Sequence, residues 1–241
     1  MIGSSISLVN RHSKTKQNVD FYVKYIEPTE INEVLELQDY IYERIEKKEI
    51  FVRDTEAELR NALDDKGIIF GIYTKEGRLS AYRFINVPGE NENNMGNDLY
   101  MPKSEYHKVV HLETTVVHPD FRGLGLQKLT LDYAIKWTIA NGYRYLFCTV
   151  SPYNPVSLNN IMAGGLKARH LKKKYATEEH DGYLRYILYR DLSVICDDCW
   201  PKFVFCNIND IERQIKLIES GYTGHHFLKK TQSIAYAKCT C

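Results

Sequence analysis

Residues 117–127 read VHPDFRGLGLQ, and this stretch determines how the chain on either side is expected to fold. Residues 109–117, which lead into it, are rich in apolar and β-branched side chains and predict a strand. The residues after it carry apolar side chains at helical spacing as far as Asn141 and Gly142, a pair typical of a helix end. The stretch is therefore a glycine-containing turn that leads from a strand into a helix.

A turn of this kind favours the binding of a phosphate-bearing ligand. The first backbone amides of a helix have no acceptor within the helix, and the positive end of the helix dipole lies beside them. Glycines let an anion approach those amides closely, and Arg122 adds a positive charge. The LQK sequence at 126–128 disfavours the two common phosphate loops, since it supplies neither a Gly-Lys-Ser/Thr triplet nor a third glycine. The sequence predicts a diphosphate site near residues 123–128.

The elements around this turn are typical of a mixed α/β fold. Residues 145–150 form an apolar run that predicts a buried strand and completes a βαβ unit. Residues 68–73 and 79–85 flank a glycine-containing turn and predict a β-hairpin. Further strands are predicted at 19–26, 167–174, 183–189, 202–205 and 233–237, and further helices at 31–45, 55–63, 155–162 and 209–220. The predicted helix caps are Thr29, Thr55, and either Asn207 or Asn209.

Composition divides the chain into three parts. Residues 1–18 are polar without a clear period and predict a loose N-terminal segment. Residues 19–190 hold most of the predicted strands and helices and form the main domain. Residues 191–241 hold five of the six cysteines and predict a C-terminal extension packed on that domain.

The overall composition is that of an ordinary soluble, globular protein. Hydrophobic residues make up 44% and charged residues 26%, with a formal net charge of +1. A near-neutral chain has no general attraction to nucleic acid or to an anionic membrane. No apolar run approaches the roughly 20 residues needed to cross a bilayer, and the first residues do not resemble a secretory signal. We expect a cytoplasmic protein with reduced cysteines and with neither nucleic acid nor membrane as a partner.

The glycine-containing turn resembles the coenzyme signature of the GNAT superfamily of N-acetyltransferases, which is written Q/R-x-x-G-x-G/A. Arg122 and Gly125 match its first two specified positions, whereas Gln127 replaces the glycine or alanine that is usual at the third. The VHP sequence at 117–119 and the asparagine-led helix predicted after Asn154 are also similar to the superfamily. The signature lies between a strand and a helix, as its structural context requires.

The resemblance spans roughly residues 19–190 and implies a GNAT-like mixed β-sheet with splayed central strands flanked by helices. It implies an N-acyltransferase in which a primary amine attacks the thioester of acetyl-CoA, or of another acyl-CoA, directly. The acceptor would be a small-molecule or peptide amine, and its identity, like the oligomeric state, is left open. The residues implied for coenzyme binding are Val117, Arg122, Gly123, Leu124, Gly125, Gln127, Lys128, Asn154 and Ser157.

A proton acceptor is predicted on the strand before the turn. Alternation along a strand places His111 and Glu113 on one face, and either could take a proton from an ammonium substrate. A solvated or ion-paired Glu113 is the alternative. The tyrosine acid of the superfamily falls at Ile161, which cannot donate a proton. Together with Gln127, this departure keeps open a non-catalytic acyl-CoA-binding module, and a deeper apolar gap would favour a longer acyl donor.

Three other features have two interpretations each. Asn154 and Ser157 suit an N-terminal helix cap as well as a contact to pantetheine. The basic run at 167–174 suits either a phosphate contact or a solvated surface, and the second is the more common. Cys196 and Cys199 have the spacing of metal ligands, and Cys206, His225, His226, Cys239 and Cys241 could complete a site. Since the spacing fits no standard zinc finger, no metal is expected.

Overall fold

A computed structural model describes residues 5–9, 18–194 and 202–238. The strands of these residues are β1 (Ser5–Val9), β2 (Asn18–Tyr25), β3 (Ile68–Thr74), β4 (Leu79–Asn86), β5 (Val109–Val117), β6 (Tyr145–Val150), β7 (Lys167–Lys174), β8 (Tyr183–Asp191), β9 (Val204–Asn207), β10 (Thr223–Leu228) and β11 (Ser233–Ala237). The helices are α1 (Ile31–Arg44), α2 (Glu56–Asp64), α3 (Leu126–Ala140), α4 (Pro155–Ala163) and α5 (Ile211–Glu219). None of these helices is long and apolar enough to cross a membrane. The predicted mixed α/β fold class is confirmed.

The chain divides into two compact units. The first unit consists of residues up to Val87 together with Leu112–Lys136, and the second of Pro88–His111 together with the residues from Trp137 onward. Strand β5 therefore contributes its first three residues to the second unit and the remainder to the first.

The first unit is built on antiparallel strands packed against helices α1 and α2. Strand β2 pairs with β1 and β3, and β3 pairs with β4, which confirms the predicted hairpin. Apolar side chains at helical spacing on α1 pack with residues of α2 and of the sheet, because alternate strand residues point to the same face. This core contains Ile26, Ile31, Val34, Leu37, Ile41, Leu59, Ala62, Ile69, Tyr73, Leu79, Tyr82, Phe84 and Val116.

The starts of the first two helices show one correct and one wrong cap prediction. Thr55 caps α2 as predicted, because its hydroxyl accepts a hydrogen bond from the Glu58 amide at 3.2 Å while the Glu58 carboxylate accepts from the Thr55 amide at 2.7 Å. The prediction of Thr29 as the α1 cap is wrong. A short 3-10 helix, Pro28–Glu30, precedes α1 there, since proline fixes the backbone angle of a first helical residue.

The second unit carries a mixed sheet. Val109 to His111 of β5 pair in parallel with Tyr145 to Phe147 of β6, and the remaining neighbours along β6, β8, β7, β10, β11 and β9 are antiparallel. A buried cluster of Met95, Val109, Tyr145, Phe147 and Ile187 lies in this unit. Two short 3-10 helices, Met95–Leu99 and Lys103–Lys108, precede β5.

The chain ends differ from their predictions in several details. Residues 5–9, which were assigned to a loose segment, form β1, and its register with β2 runs from Ser5–Tyr22 to Val9–Asn18. In the tail, β11 is confirmed, but β10 was missed and pairs with β7 at Gly224 and Ala168. Neither predicted asparagine caps α5. Asp210 does so instead, because its carboxylate accepts from the Arg213 amide at 3.2 Å.

Candidate functional site

The glycine turn, residues 118–125, joins β5 to α3 in the first unit. Gly123 and Gly125 have φ angles of +81° and +79°, a left-handed conformation that side chains with a Cβ rarely adopt. The carbonyl of Gly125 accepts a hydrogen bond from the Leu129 amide at 3.0 Å, so α3 begins directly after the turn. Two positive-φ residues in three thus reverse the chain sharply enough for the strand to lead into the helix.

Buried and exposed side chains alternate along this turn. Leu124 is 7% exposed and Leu126 is 1% exposed, so both hold the backbone against the core. Arg122, Gly123 and Gly125 between and before them are exposed. The two buried leucines therefore anchor the turn to the core, while its backbone and the Arg122 side chain face outward.

A polar cluster fixes the point where β5 ends. The His118 amide donates to the Ser80 carbonyl at 2.8 Å, and the His118 ring accepts from the Asp120 amide at 3.2 Å and stacks on Tyr40. Arg78 lies 2.9 Å from the same ring and forms an ion pair with Asp120 at 2.9 Å. Burial, and then the positive charge of Arg78, lower the pKa of His118, so the ring is held neutral.

The start of α3 has the features of an anion site. Its first amides point away from the helix, and the exposed cations Arg122 and Lys128 lie on either side of them. Lys128 also lies 2.5 Å from Asp132, one turn further along the helix. A Cβ atom added at Gly125 would meet no atom within 4 Å, so the backbone there is open to a close ligand. These residues fit the diphosphate of a coenzyme A.

Glu113 lies on β5 within the same unit. Residues Leu112, Thr114 and Val116 of this strand are buried, whereas Glu113 and Val117 are partly exposed on the other face. The predicted base is thus placed on the accessible face of the strand, four residues before its end.

Asp54 is a largely buried acidic residue that no sequence pattern singled out. It lies in the loop between α1 and α2, where its amide donates to the Gln38 side chain at 3.0 Å and its carbonyl accepts from the same side chain at 2.8 Å. Its carboxyl is hydrogen-bonded by the Thr114 side chain of β5. The buried Tyr82 hydroxyl in turn donates to Gln38 at 3.4 Å. We call Gln38, Asp54, Tyr82 and Thr114 the Asp54 cluster.

The carboxyl of Asp54 is unusual in its acidity. Burial raises its pKa from 3.8 to about 7, the nearby charges of Glu113 and Glu58 also raise it, and the Thr114 hydrogen bond opposes them. No local pattern signals this residue. Its partner Thr114 is distant in sequence, and the adjacent Thr55 motif predicts only a helix cap.

The other predicted base, His111, belongs to the second unit. It is 3% exposed, and its Nε2 atom accepts a hydrogen bond from the Met95 amide at 3.0 Å. The ring packs edge-on against Phe147. Since one ring nitrogen is already used as an acceptor, the contacts of His111 are those of a core histidine.

Asn154 and Ser157 also lie in the second unit, at the start of α4. The Asn154 side-chain oxygen accepts from the Ser157 amide at 3.0 Å, which confirms the predicted cap. The prediction that they contact pantetheine is compatible with this bond, since the cap uses a single oxygen of Asn154 and the amide of Ser157.

The structure describes the basic run and part of the cysteine-containing tail. Lys172 and Lys174 of β7 form ion pairs with the buried Asp98, and Lys173 lies 3.4 Å from Asp181. Cys196, Cys199, Cys239 and Cys241 lie outside the described residues. Cys206 is a buried free thiol. Within residues 5–9, 18–194 and 202–238, no cluster of three or more potential ligands for a metal ion occurs.

Comparison with known proteins identifies a family over the middle of the chain. The acetyltransferase (GNAT) family model matches residues 33–160, which is slightly more than half of the 241 residues. This range includes the Asp54 cluster, β5 and the glycine turn. No match to the chain was found among curated proteins.

Solved structures of acetyltransferases have a similar fold. A GNAT-family acetyltransferase from Streptococcus pneumoniae is 16% identical with a TM-score of 0.53, covering 71% of this chain and 99% of its own. The ribosomal-protein-S18-alanine N-acetyltransferase of Escherichia coli is 15% identical with a TM-score of 0.52, covering 75% and 99%. A phosphinothricin acetyltransferase from Sinorhizobium meliloti, solved with acetyl-CoA, is 15% identical with a TM-score of 0.52, covering 71% and 88%. At these identities the likeness concerns the fold.

Proposed function

The chain belongs to the acetyltransferase (GNAT) family, and on that premise we propose that it transfers an acyl group from coenzyme A to a primary amine, with acetyl as the donor group. The observation that carries this proposal is the glycine turn. It combines two positive-φ glycines, an open approach to the backbone at Gly125, and the exposed cations Arg122 and Lys128 at the start of α3. Acetyl-CoA supplies the thioester, and residues of this chain bind the coenzyme and accept the proton of the amine.

The residues of the turn have distinct parts in this proposal. The amides from Gly123 to Lys128 bind the pyrophosphate, and the side chains of Arg122 and Lys128 neutralise its charge. Leu124 keeps the turn in place from the core side, and the Val117 end of β5 meets the pantetheine arm. The roles of Asn154 and Ser157 toward pantetheine stay predictions, as does the role of Gln127 at the third signature position.

Of the two predicted bases, the contacts favour Glu113. His111 is almost fully buried and its Nε2 atom accepts the Met95 amide, so it would have to give up a core hydrogen bond to accept a proton. Glu113 lies on the partly exposed face of β5. A carboxylate four residues before the end of β5, where the turn that binds the diphosphate begins, is suited to act near the thioester end of the coenzyme.

The acceptor in this proposal is either a peptide amine or a small-molecule amine. The names of two structural neighbours refer to an alanine of a ribosomal protein and to phosphinothricin, so a peptide amine and a small-molecule amine are both acceptors to test. Release of the coenzyme thiol in the presence of a panel of such amines distinguishes an enzyme from a module that only binds acyl-CoA.

The deciding experiment is calorimetric titration of the purified chain with acetyl-CoA, coenzyme A and a longer acyl-CoA. We expect binding at a dissociation constant on the order of micromolar, and the ranking of the donors gives the preferred acyl length. Gly125→Glu should weaken binding at least about 100-fold, because it places a side chain and a negative charge where the diphosphate approaches.

The matched control is Gly142→Glu. Gly142 follows α3, has nearly the same φ angle of +78°, and likewise has no atom within 4 Å of an added Cβ. Both substitutions therefore impose a similar backbone strain, and only the first should affect the coenzyme. A folded wild type that binds none of the three ligands, or equal losses in the two variants, would contradict the proposal.

A further inference from the structure

One carboxyl oxygen in the loop between α1 and α2 has no hydrogen-bond partner. Asp54 is flanked by the exposed residues Arg53 and Thr55, yet its Oδ2 atom is shielded from solvent and accepts no hydrogen bond from the described part of the chain. The rest of the residue is firmly held, because Gln38 binds its amide and carbonyl and Thr114 binds the carboxyl. A buried polar atom without a partner is costly and calls for an explanation, such as a donor on a ligand.

The charges around Asp54 select the kind of donor. Strand β5 contributes Glu113 and α2 contributes Glu58, and the negative charges of both act on the carboxyl. Helix α1 contributes Asp39, which is paired with Arg53 at 2.7 Å, and β4 contributes the neutral Tyr82. The surroundings are therefore negative, and the neighbouring cation Arg53 is bound to Asp39. A positively charged donor of hydrogen bonds is the ligand that these groups favour.

Asp54 contacts β5 at a level of the strand that relates it to the coenzyme. Thr114, which holds its carboxyl, precedes Val117 by three residues, which is roughly 10 Å along a strand. The turn at the end of β5 is the proposed diphosphate site. A pantetheine arm laid back along β5 from that turn would therefore bring its thioester end toward the level of Thr114.

We propose that Asp54 receives the ammonium group of the acceptor amine and takes its proton. The inference rests on the proposed function and adds the residue that recognises the acceptor. One ammonium proton moves to the Asp54 carboxylate, and the freed nitrogen lone pair forms the C–N bond to the thioester carbonyl carbon as the C–S bond breaks. The second nitrogen proton passes to the departing thiolate, and Asp54 then releases its proton to solvent.

The acidity of Asp54 suits this task. Because burial and the neighbouring carboxylates raise its pKa to about 7, the group gains and loses a proton readily near neutral pH. In this scheme Asp54 takes the place of Glu113 as the base. Glu113 acts by its charge, which adds to the larger effect of burial on the pKa of Asp54. The carboxyl groups of Asp54 in the loop and of Glu113 on β5 thus have different roles because their environments differ.

The first test measures the proton itself. Carbon-detected NMR of the full chain follows the Asp54 carboxyl through pH, assigned by its loss in Asp54→Asn. We expect a midpoint at a pKa of about 7, a lower midpoint in Glu113→Gln, and a higher one in Thr114→Val, which removes the opposing hydrogen bond. Titration near the ordinary value of 3.8, or no response to Glu113→Gln, would overturn the proposal.

The second test measures ammonium recognition with n-butylammonium chloride in the presence of coenzyme A. Tetramethylammonium chloride at equal concentration is the control, since it carries the same charge but donates no hydrogen bond. We expect n-butylammonium alone to lower the Asp54 midpoint by about one pH unit, because a nearby cation favours the carboxylate. Equal effects of the two salts would overturn the proposal.

The third test separates this inference from the proposed function. Asp54→Asn should bind acetyl-CoA as tightly as the wild type while thiol release with n-butylamine falls at least about 100-fold. Asp64→Asn, which removes an exposed carboxylate at the end of α2, should change neither. Equal thiol release in the wild type and Asp54→Asn, at whatever level, would overturn the role of Asp54. Failure of the wild type to bind acetyl-CoA would instead overturn the proposed function.

Discussion

The glycine turn and the Asp54 cluster lie in the same compact unit and differ in almost every physical property. The turn is made of consecutive residues, exposes its backbone, and carries the cations Arg122 and Lys128 nearby. The Asp54 cluster takes one residue each from α1, the following loop, β4 and β5, and it is buried with carboxylates around it. The first arrangement suits an anion and the second suits a cation or a proton.

Strand β5 connects these two regions, which explains how one unit can hold groups of opposite charge without neutralising them. Thr114 contacts the Asp54 carboxyl, and Val117 ends the strand where the turn begins. About 10 Å of strand separates them. That distance is close to a Debye length at physiological salt, so solvent ions screen part of the attraction between the exposed cations of the turn and the Asp54 carboxyl.

The largest effect is expected from Asp54→Asn on the pH dependence of stability. Because the pKa of Asp54 rises from 3.8 to about 7 on folding, the folded chain holds a proton that the unfolded chain releases. The free energy of unfolding therefore falls as pH rises from about 4 to about 7, by up to roughly 4 kcal/mol from this group. Asparagine has no such proton, so urea unfolding at several pH values should show a flatter profile in the variant.

Asp64→Asn is the matched control for this stability measurement. Asp64 is exposed at the end of α2, so its loss removes the same charge without touching a buried proton. Its profile should keep the wild-type slope between about pH 4 and about pH 7. If Asp54→Asn also kept that slope, the Asp54 carboxyl of the wild type would titrate near its ordinary value of 3.8. The Asp54 cluster would then differ from the glycine turn in burial but not in proton binding.

The two regions differ in how far they could be predicted from the sequence. The strand, the glycine-containing turn and the helix that follows it were predicted, because strand pattern, glycines, Arg122 and helix pattern follow one another without interruption. The Asp54 cluster was not, because the contact between Asp54 and Thr114 depends on how the α1–α2 loop folds over β5. Strand β10 was missed for the same reason, because it pairs with β7 through Gly224 and Ala168, which are distant in sequence. Glu113 was predicted as a strand residue on one face, but not as a charge acting on Asp54.

Arg122→Ala is expected to weaken coenzyme A binding about tenfold while leaving pantetheine binding unchanged. A charge-assisted contact to the diphosphate is the interaction removed, and pantetheine has no diphosphate. Calorimetry with both ligands measures the difference. Arg60→Ala is the control, since Arg60 is an exposed arginine on α2 paired with Glu56. A parallel loss for both ligands would assign Arg122 to the folding of the turn and not to the anion.

Thr55→Ala should lower the free energy of unfolding by about 1 kcal/mol, the usual loss for a helix N-cap. The hydroxyl of Thr55 accepts the Glu58 amide at 3.2 Å, and Thr55→Ser keeps this bond and should restore most of the stability. The NMR midpoint of Asp54 should not change, because Gln38 and Thr114 hold that residue. A shifted midpoint would show that the cap and the Asp54 cluster form one structural unit.

The smallest effect is expected from Asp132→Ala, which tests whether Lys128 belongs to the anion site. Lys128 lies 2.5 Å from Asp132 in an exposed pair one helical turn apart, a contact that contributes only about 0.3–0.5 kcal/mol. Removing Asp132 frees the lysine and deletes a negative charge near the start of α3, so coenzyme A binding should tighten about twofold. Pantetheine again serves as the ligand without a diphosphate and should bind as before. Unchanged or weaker coenzyme A binding would remove Lys128 from the site and leave Arg122 and the backbone amides to hold the anion.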